Sequence, residues 1–182
     1  MTSHLEPLIK KLSKLAIVAT PAPWERKASI AVGGLRAVGF DRERDLLLVV
    51  SAQGRGVVDC ITGKKVERDD EEYYENEEHL EAEGIGPLSG KLIIMAGLFG
   101  GGLPTITADR WQLESVTLKW PDKSILLVHP GSDLFGSLYS RPDEMSKIAE
   151  DSTIRAYGFS HTGKSFVIAT SSDVTVYARK DG

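Results

Sequence analysis

The chain has a single cysteine, Cys60, among 182 residues. One thiol cannot close an intramolecular disulfide, so the core must hold without covalent staples, and a reducing, cytoplasmic home is the simpler reading. Histidine is scarce too. His4, His79, His129 and His161 complete the set, and no two stand at ligand spacing, so neither a metal site nor a cofactor is expected. No apolar run is long enough to cross a bilayer. Positive charge is also short: 22 Lys and Arg face 26 Asp and Glu, a net charge of −4. That balance speaks against nucleic acid or an anionic membrane as the partner.

What is present is an ordinary globular composition, 41% hydrophobic and 26% charged, and one domain spanning 1–182 is expected. Its strongest feature is an internal echo. Residues 35–65 read as three short strands joined by two turns, and they return as 154–179. At an offset of 119 residues, Leu35, Arg36, Ala37, Gly39 and Phe40 meet Ile154, Arg155, Ala156, Gly158 and Phe159 without a gap. The run Leu47, Leu48, Val49, Val50 meets Phe166, Val167, Ile168, Ala169, and Val57 meets Val176. A fainter copy begins at Leu113, offset by 78, and continues through Ile125 to Val128. A fourth unit is then implied at residues 92–96. Cys60 falls in a strand-like run with Val57, Val58 and Ile61, which makes it a small buried core residue.

Repeats of about 40 residues, each a strand–turn–strand–turn–strand, have the length of propeller blades. A small sheet with apolar faces cannot cover itself, so its neighbours must stack on it. Residues 159–177, FSHTGKSFVIATSSDVTVY, resemble a WD40-type blade, and 57–66, VVDCITGKKV, resemble the aspartate–Thr-Gly-Lys turn of quinoprotein-type blades. The resemblance implies an all-β, mainly antiparallel fold: a propeller-like stack of about four small sheets. The expected parts are an N-terminal helix (1–19), β units at 28–66, 88–112, 113–140 and 152–180, and an acidic excursion at 67–87.

The helix is expected from Leu5, Leu8, Ile9, Leu12, Leu15 and Ala16 on one face, Lys10, Lys11 and Lys14 opposite, and a Ser3–Glu6 capping pair with Pro7 in the first turn. It is read as packing over a sheet edge. A proline-rich connector, 20–24, ends it, and a short strand at 28–32 follows. One or two helical turns are expected over 143–149, after Pro142.

The acidic excursion breaks the strand pattern. Asp69, Asp70, Glu71, Glu72, Glu75, Glu77, Glu78, Glu81 and Glu83 stand almost without local counter-charge, with Tyr73, Tyr74, His79 and Leu80 among them. Either a short acidic helix or a loop would suit the spacing. The Asp-x-Asp-x-Asp-Gly order of a calcium loop is missing. Acids interleaved with tyrosines offer both steering and contact area to a basic protein, so Asp69, Asp70, Glu71, Glu72, Tyr73, Tyr74, Glu77 and Glu78 are the candidate partner-binding residues.

Three catalytic motifs are approached and missed. Residues 158–165, GFSHTGKS, match the phosphate-loop pattern letter for letter, but that chemistry needs a helix next, and FVIATSSDVTVY has strand character. The glycines of LIIMAGLFGGG lack a following Lys-Ser or Lys-Thr and read as a bend. The PGSDL stretch near His129 and Asp133 lacks the second glycine of a nucleophile elbow. With no catalytic residues assigned, the expectation is a non-enzymatic protein-binding module, of the kind of a small immunity or inhibitor protein that docks a cationic toxin or nuclease. The competing readings are a hydrolase or lyase with a loop site around His129, Asp133 and His161, and a scaffold repeat without a small-molecule ligand.

Overall fold

The order of elements follows from where β-branched and leucine runs alternate with tight turns. A computed structural model of the protein describes residues 3–180. Helix α1 (Glu6–Leu12) is followed by β1 (Trp24–Ala31) and then a meander of β2 (Leu35–Phe40), β3 (Leu46–Ser51), β4 (Gly54–Asp59) and β5 (Lys64–Asp69). A hairpin of β6 (Glu81–Glu83) and β7 (Leu92–Ile94) leads to β8 (Ala96–Gly97). Then come β9 (Gln112–Lys119), β10 (Asp122–Val128) and β11 (Met145–Asp151), and finally β12 (Ala156–Phe159), β13 (Ser165–Ala169) and β14 (Asp173–Arg179). The fold is all-β and its strand ladders are antiparallel. Four sheets form, in the orders β1-β14-β13-β12, β11-β10-β9, β5-β4-β3-β2-β8 and β6-β7.

The repeat holds its register in the backbone. Adding 119 to the first residue of β3 and of β4 gives Ser165 and Asp173, where β13 and β14 begin. The fourth position, held by β5 in the first copy, is filled in the last by β1, which runs antiparallel to β14 from Trp24↔Arg179 to Ala31↔Asp173. The third copy keeps two paired strands, β9 and β10, but not the register: Ile125 stands opposite Ser115, where the first copy would set it opposite Leu118. Its third strand is delayed to β11, behind a 3-10 turn at Gly136–Tyr139. The helical turns expected over 143–149 are therefore a strand. Pairing with β10 (Ile125↔Ala149, Leu127↔Ser146) overrides local helix propensity there. The fourth expected unit is no meander: residues 92–96 are shared between the β6-β7 hairpin and the edge of the first sheet.

The chain divides into two compact units, Met1–Pro21 with Thr105–Ser152, and Ala22–Pro104 with Thr153–Gly182, where the sequence suggests one domain.

In the second unit the inner strands of the first sheet are buried on both faces. Val38, Leu47, Val49 and Val58 pack with Val167, Ala169, Val174 and Val176 of the last sheet. On the other face Ala37, Leu48, Val50 and Val57 pack with Ala82, Leu88, Ile93 and Met95. This explains why β3 reads LLLVVS rather than alternating. Each such fully buried side chain contributes about 1.5–3 kcal/mol relative to exposure. Cys60 lies in the first of these cores, and burial pushes its thiol well above the ordinary range. Gly39 is required by close approach, because a Cβ there would stand 2.3 Å from the Ile94 carbonyl oxygen. Behind the last sheet, Trp24, Phe159, Phe166 and Tyr177 form an aromatic cluster, with the Arg179 guanidinium 4.6 Å from the Trp24 ring.

In the first unit α1 buries Leu8 and Leu12 against Leu126 of β10, and Lys11 pairs with Asp143. The helix is shorter than its apolar pattern suggests. Pro7 sits in its first turn, but the capping position is Leu5, which makes no side-chain bond. Ser13 closes the C-terminus by donating to the Ile9 carbonyl, and Ile17 bridges to Lys147 of β11. The proposed Ser3 cap and Met1 fall outside the described side chains.

One carboxylate links the two copies of the repeat. Asp45, in the β2–β3 turn, accepts from Ser160 Oγ (2.7 Å), Thr162 Oγ1 (2.8 and 2.9 Å) and Ser165 Oγ (2.6 Å) of the β12–β13 turn. The GFSHTGKS segment is thus a hairpin turn followed by a strand, and its serine hydroxyls are committed to Asp45. Asp45→Ala should cost about 2–3 kcal/mol in urea denaturation, because three hydroxyls lose a charged acceptor. Glu43→Ala, on the exposed side of the same turn, should stay within about 0.5 kcal/mol.

Candidate functional site

The acidic stretch is built outward from the first sheet. Strand β5 carries the chain to Asp69, and no helix follows. The loop closes at Asn76, whose backbone exchanges hydrogen bonds with Glu81 and whose side chain accepts from the Glu78 and His79 amides. Leu80 takes a left-handed φ of 53° to turn the chain into β6.

Two arginines from the sheet brace this loop. Arg36 of β2 donates to Glu75 (3.0 Å) and to Glu77 (3.0 Å), and its guanidinium lies 4.9 Å from the Tyr74 ring and 5.3 Å from the Phe99 ring. The Glu75 side chain is 2% exposed. Arg55 of β4 grips Asp69 through Nε and a terminal nitrogen, reaches the Glu83 carbonyl, and stacks 4.0 Å from the Tyr73 ring. Tyr73 packs against the core, and its hydroxyl accepts from the Glu83 amide. Arg68 holds Asp70. The bond from Arg55 lowers the Asp69 pKa, helped by the Glu71 amide. The bond between the Tyr74 hydroxyl and Glu72 raises that of Tyr74.

The eight residues expected to meet a partner therefore separate. Asp69, Asp70, Tyr73 and Glu77 are engaged within the fold. Among the described residues Glu71, Glu72 and Glu78 have no cationic partner, and Tyr74 beside them is 62% exposed. Apart from Arg68, which holds its near neighbour Asp70, the counter-charge comes from Arg55 and Arg36, 14 to 41 residues away, so a local reading of the acidic run could not see it. The one sequence signal was an arginine inside each of two otherwise apolar strands.

A second feature lies where β7 leaves β2. A recess of about 300 Å³ is lined by Phe40, Arg42, Leu92, Ile94 and His161 among others. Asp41 sits in its wall, 2% exposed, between Lys91 (2.7 Å) and Arg44 (2.9 Å). Burial works to raise the Asp41 pKa, and the bonds from Lys91 and Arg44 outweigh it, so the carboxyl titrates below its ordinary 3.8.

Of the rival constellation, His129 and Asp133 lie in the first unit and His161 in the second. His129 packs on Trp111, with ring centroids 4.8 Å apart. Asp133 is taken by the Phe135 amide and Arg141. Among the described residues no group of three or more His, Cys, Asp or Glu could hold a metal, and no helix is long and apolar enough to cross a membrane. Compared with known proteins, the chain matches no family model, no curated protein and no solved structure.

Arg36→Ala leaves Glu75 buried and unpaired and should cost about 3–5 kcal/mol at pH 7 in urea denaturation. Arg36→Lys should recover only part of this, since an ammonium neither forks nor stacks as a guanidinium does. Asp41 has the opposite kind of readout. Its folded pKa lies below its unfolded value, so its stabilisation is present above about pH 4 and is lost as pH falls through the folded value. Stability measured from pH 5 downward should fall less steeply in Asp41→Asn than in the parent.

Proposed function

We propose that this protein is a non-enzymatic protein-binding module that docks a cationic protein surface through the arginine-braced loop at 69–78. An immunity- or inhibitor-type role toward a basic toxin or nuclease fits that chemistry. The observation that carries the reading is the division of labour within the loop. Arg36, Arg55 and Arg68 neutralise the carboxylates nearest the sheet and fix the backbone, while Glu71, Glu72 and Glu78 stay outward beside an exposed tyrosine. A loop ordered in advance loses less conformational entropy on binding, and unpaired acids steer a basic partner. Tyr74 supplies a rigid amphipathic contact. The repeated meanders are read as propeller-type blades that act as the frame, supported by the 119-residue register and by β1 filling the fourth place of the last sheet. The lone buried thiol supports a cytoplasmic home.

The test is made with the partner captured from the source cells and then purified. Glu71→Lys/Glu72→Lys/Glu78→Lys should weaken its affinity at least about tenfold and flatten the salt dependence of binding. Asp69 and Asp70 are left alone because they hold the loop. An affinity and salt dependence unchanged by the triple reversal would sink the reading.

A further inference from the structure

We propose that the cleft between β2 and β7 is a second binding surface, which takes a short extended peptide segment of a partner protein with acidic and apolar side chains in alternation. This goes beyond the acidic loop, whose carboxylates have no part in it.

The cleft begins as an interrupted ladder. Strand β8 pairs with β2 at Ala37↔Gly97 and Val38↔Ala96, and there the pairing stops. Residues 91–94 diverge from 40–43 and pair instead with β6. The bonds from the Gly84 amide to the Lys91 carbonyl and from the Met95 amide to the Leu80 carbonyl, with Ala82↔Ile93 between them, show which groups face β6. In an antiparallel ladder, alternate residues point the other way, so the amides of Leu92 and Ile94 face away from β6. The sheet has no third strand. The Ile94 carbonyl is closed off by Gly39, and the amide of the same residue faces the same side, which leaves Leu92 as the open part of the edge.

Space and charge complete the surface. The 300 Å³ recess beside this edge adjoins one of about 400 Å³, and both are lined by Phe40, Arg42, Ile94 and His161. Leu92 is 64% exposed and Ile94 47%. Of the charged groups around the cleft, Asp41 is answered by Lys91 and Arg44, and Glu43 lies 3.6 Å from Lys91. Arg42 and His161 have no acidic partner among the described residues. The β5 edge of this unit's central sheet is exposed and carries Lys64, Lys65, Glu67 and Arg68, the charged blunting that discourages strand addition. Strand β7 itself, Leu-Ile-Ile, carries no charged side chain. An unpaired edge with alternating apolar side chains accepts a peptide by adding a strand, and the cations beside it select acidic residues.

The probe is a fluorescein-labelled hexapeptide, acetylated and amidated, of alternating glutamate and valine. It should bind saturably and slow amide exchange at Leu92 at least about tenfold, since that outward amide gains protection. Leu92→Pro removes an outward amide without touching a bond to β6, and Arg42→Glu reverses the exposed cation. Each should weaken binding about tenfold or more, and Glu71→Lys should leave it unchanged. Arg42→Glu keeps the test decisive if Leu92→Pro fails to fold. No binding, binding without protection at Leu92, or indifference to Arg42→Glu overturns the proposal. So does self-association of the free protein with the Leu92 amide already protected, which would give the edge to a second copy of this chain.

Discussion

The constraint on which the larger unit depends is that β3, at the middle of its central sheet, is buried on both faces. Strand β3 has no polar side until Ser51, so an apolar layer must cover it above and below. The last sheet supplies one cover, and the β6-β7 hairpin with Leu88 supplies the other. Once those layers are in place, the turns at the ends of β2, β4 and β5 have fixed positions, and polar chemistry can be hung on them.

Two kinds of polar contact use that frame. The first is the Asp45 carboxylate, which gathers three hydroxyls from the equivalent turn of the second copy. Corresponding loops of a duplicated meander thus meet as donor and acceptor. The second is the arginine bracing of the acidic loop. Arg55 leaves β4 two residues before Val57, on the same face of the sheet, and Arg36 leaves β2 beside core residues. Both are anchored by neighbours that cannot move, which makes the loop an extension of the sheet. Since the buried pairs satisfy the acids closest to the sheet, the exposed acids can remain unpaired without a desolvation cost.

The repeat was legible in the sequence because its period had no gap across 35–65 and 154–179, and hydrophobic alternation fixes register strongly where a face is buried. Its third copy was legible for two strands and then lost, because Leu134 to Pro142 intervene before β11. The strand at Met145–Asp151 has helix-forming residues, and only its ladder with β10 decides otherwise. The acidic run was legible as a surface but not as a site. Which of its carboxylates are free depends on Arg36 and Arg55, whose approach is tertiary. The cleft beside Leu92 was invisible for the same reason, since it arises where two strands part.

Arg36 and Arg55 hold the acidic loop as part of the sheet. Native-state amide exchange of the free protein tests it most directly, read at Asn76, Glu81 and Glu83, whose amides bond within the loop or to Tyr73. Bracing by Arg36 and Arg55 predicts that these amides exchange well below free-chain rates and lose protection together. Exchange at the rates of an unstructured peptide, with β3 and β13 still protected, would contradict it.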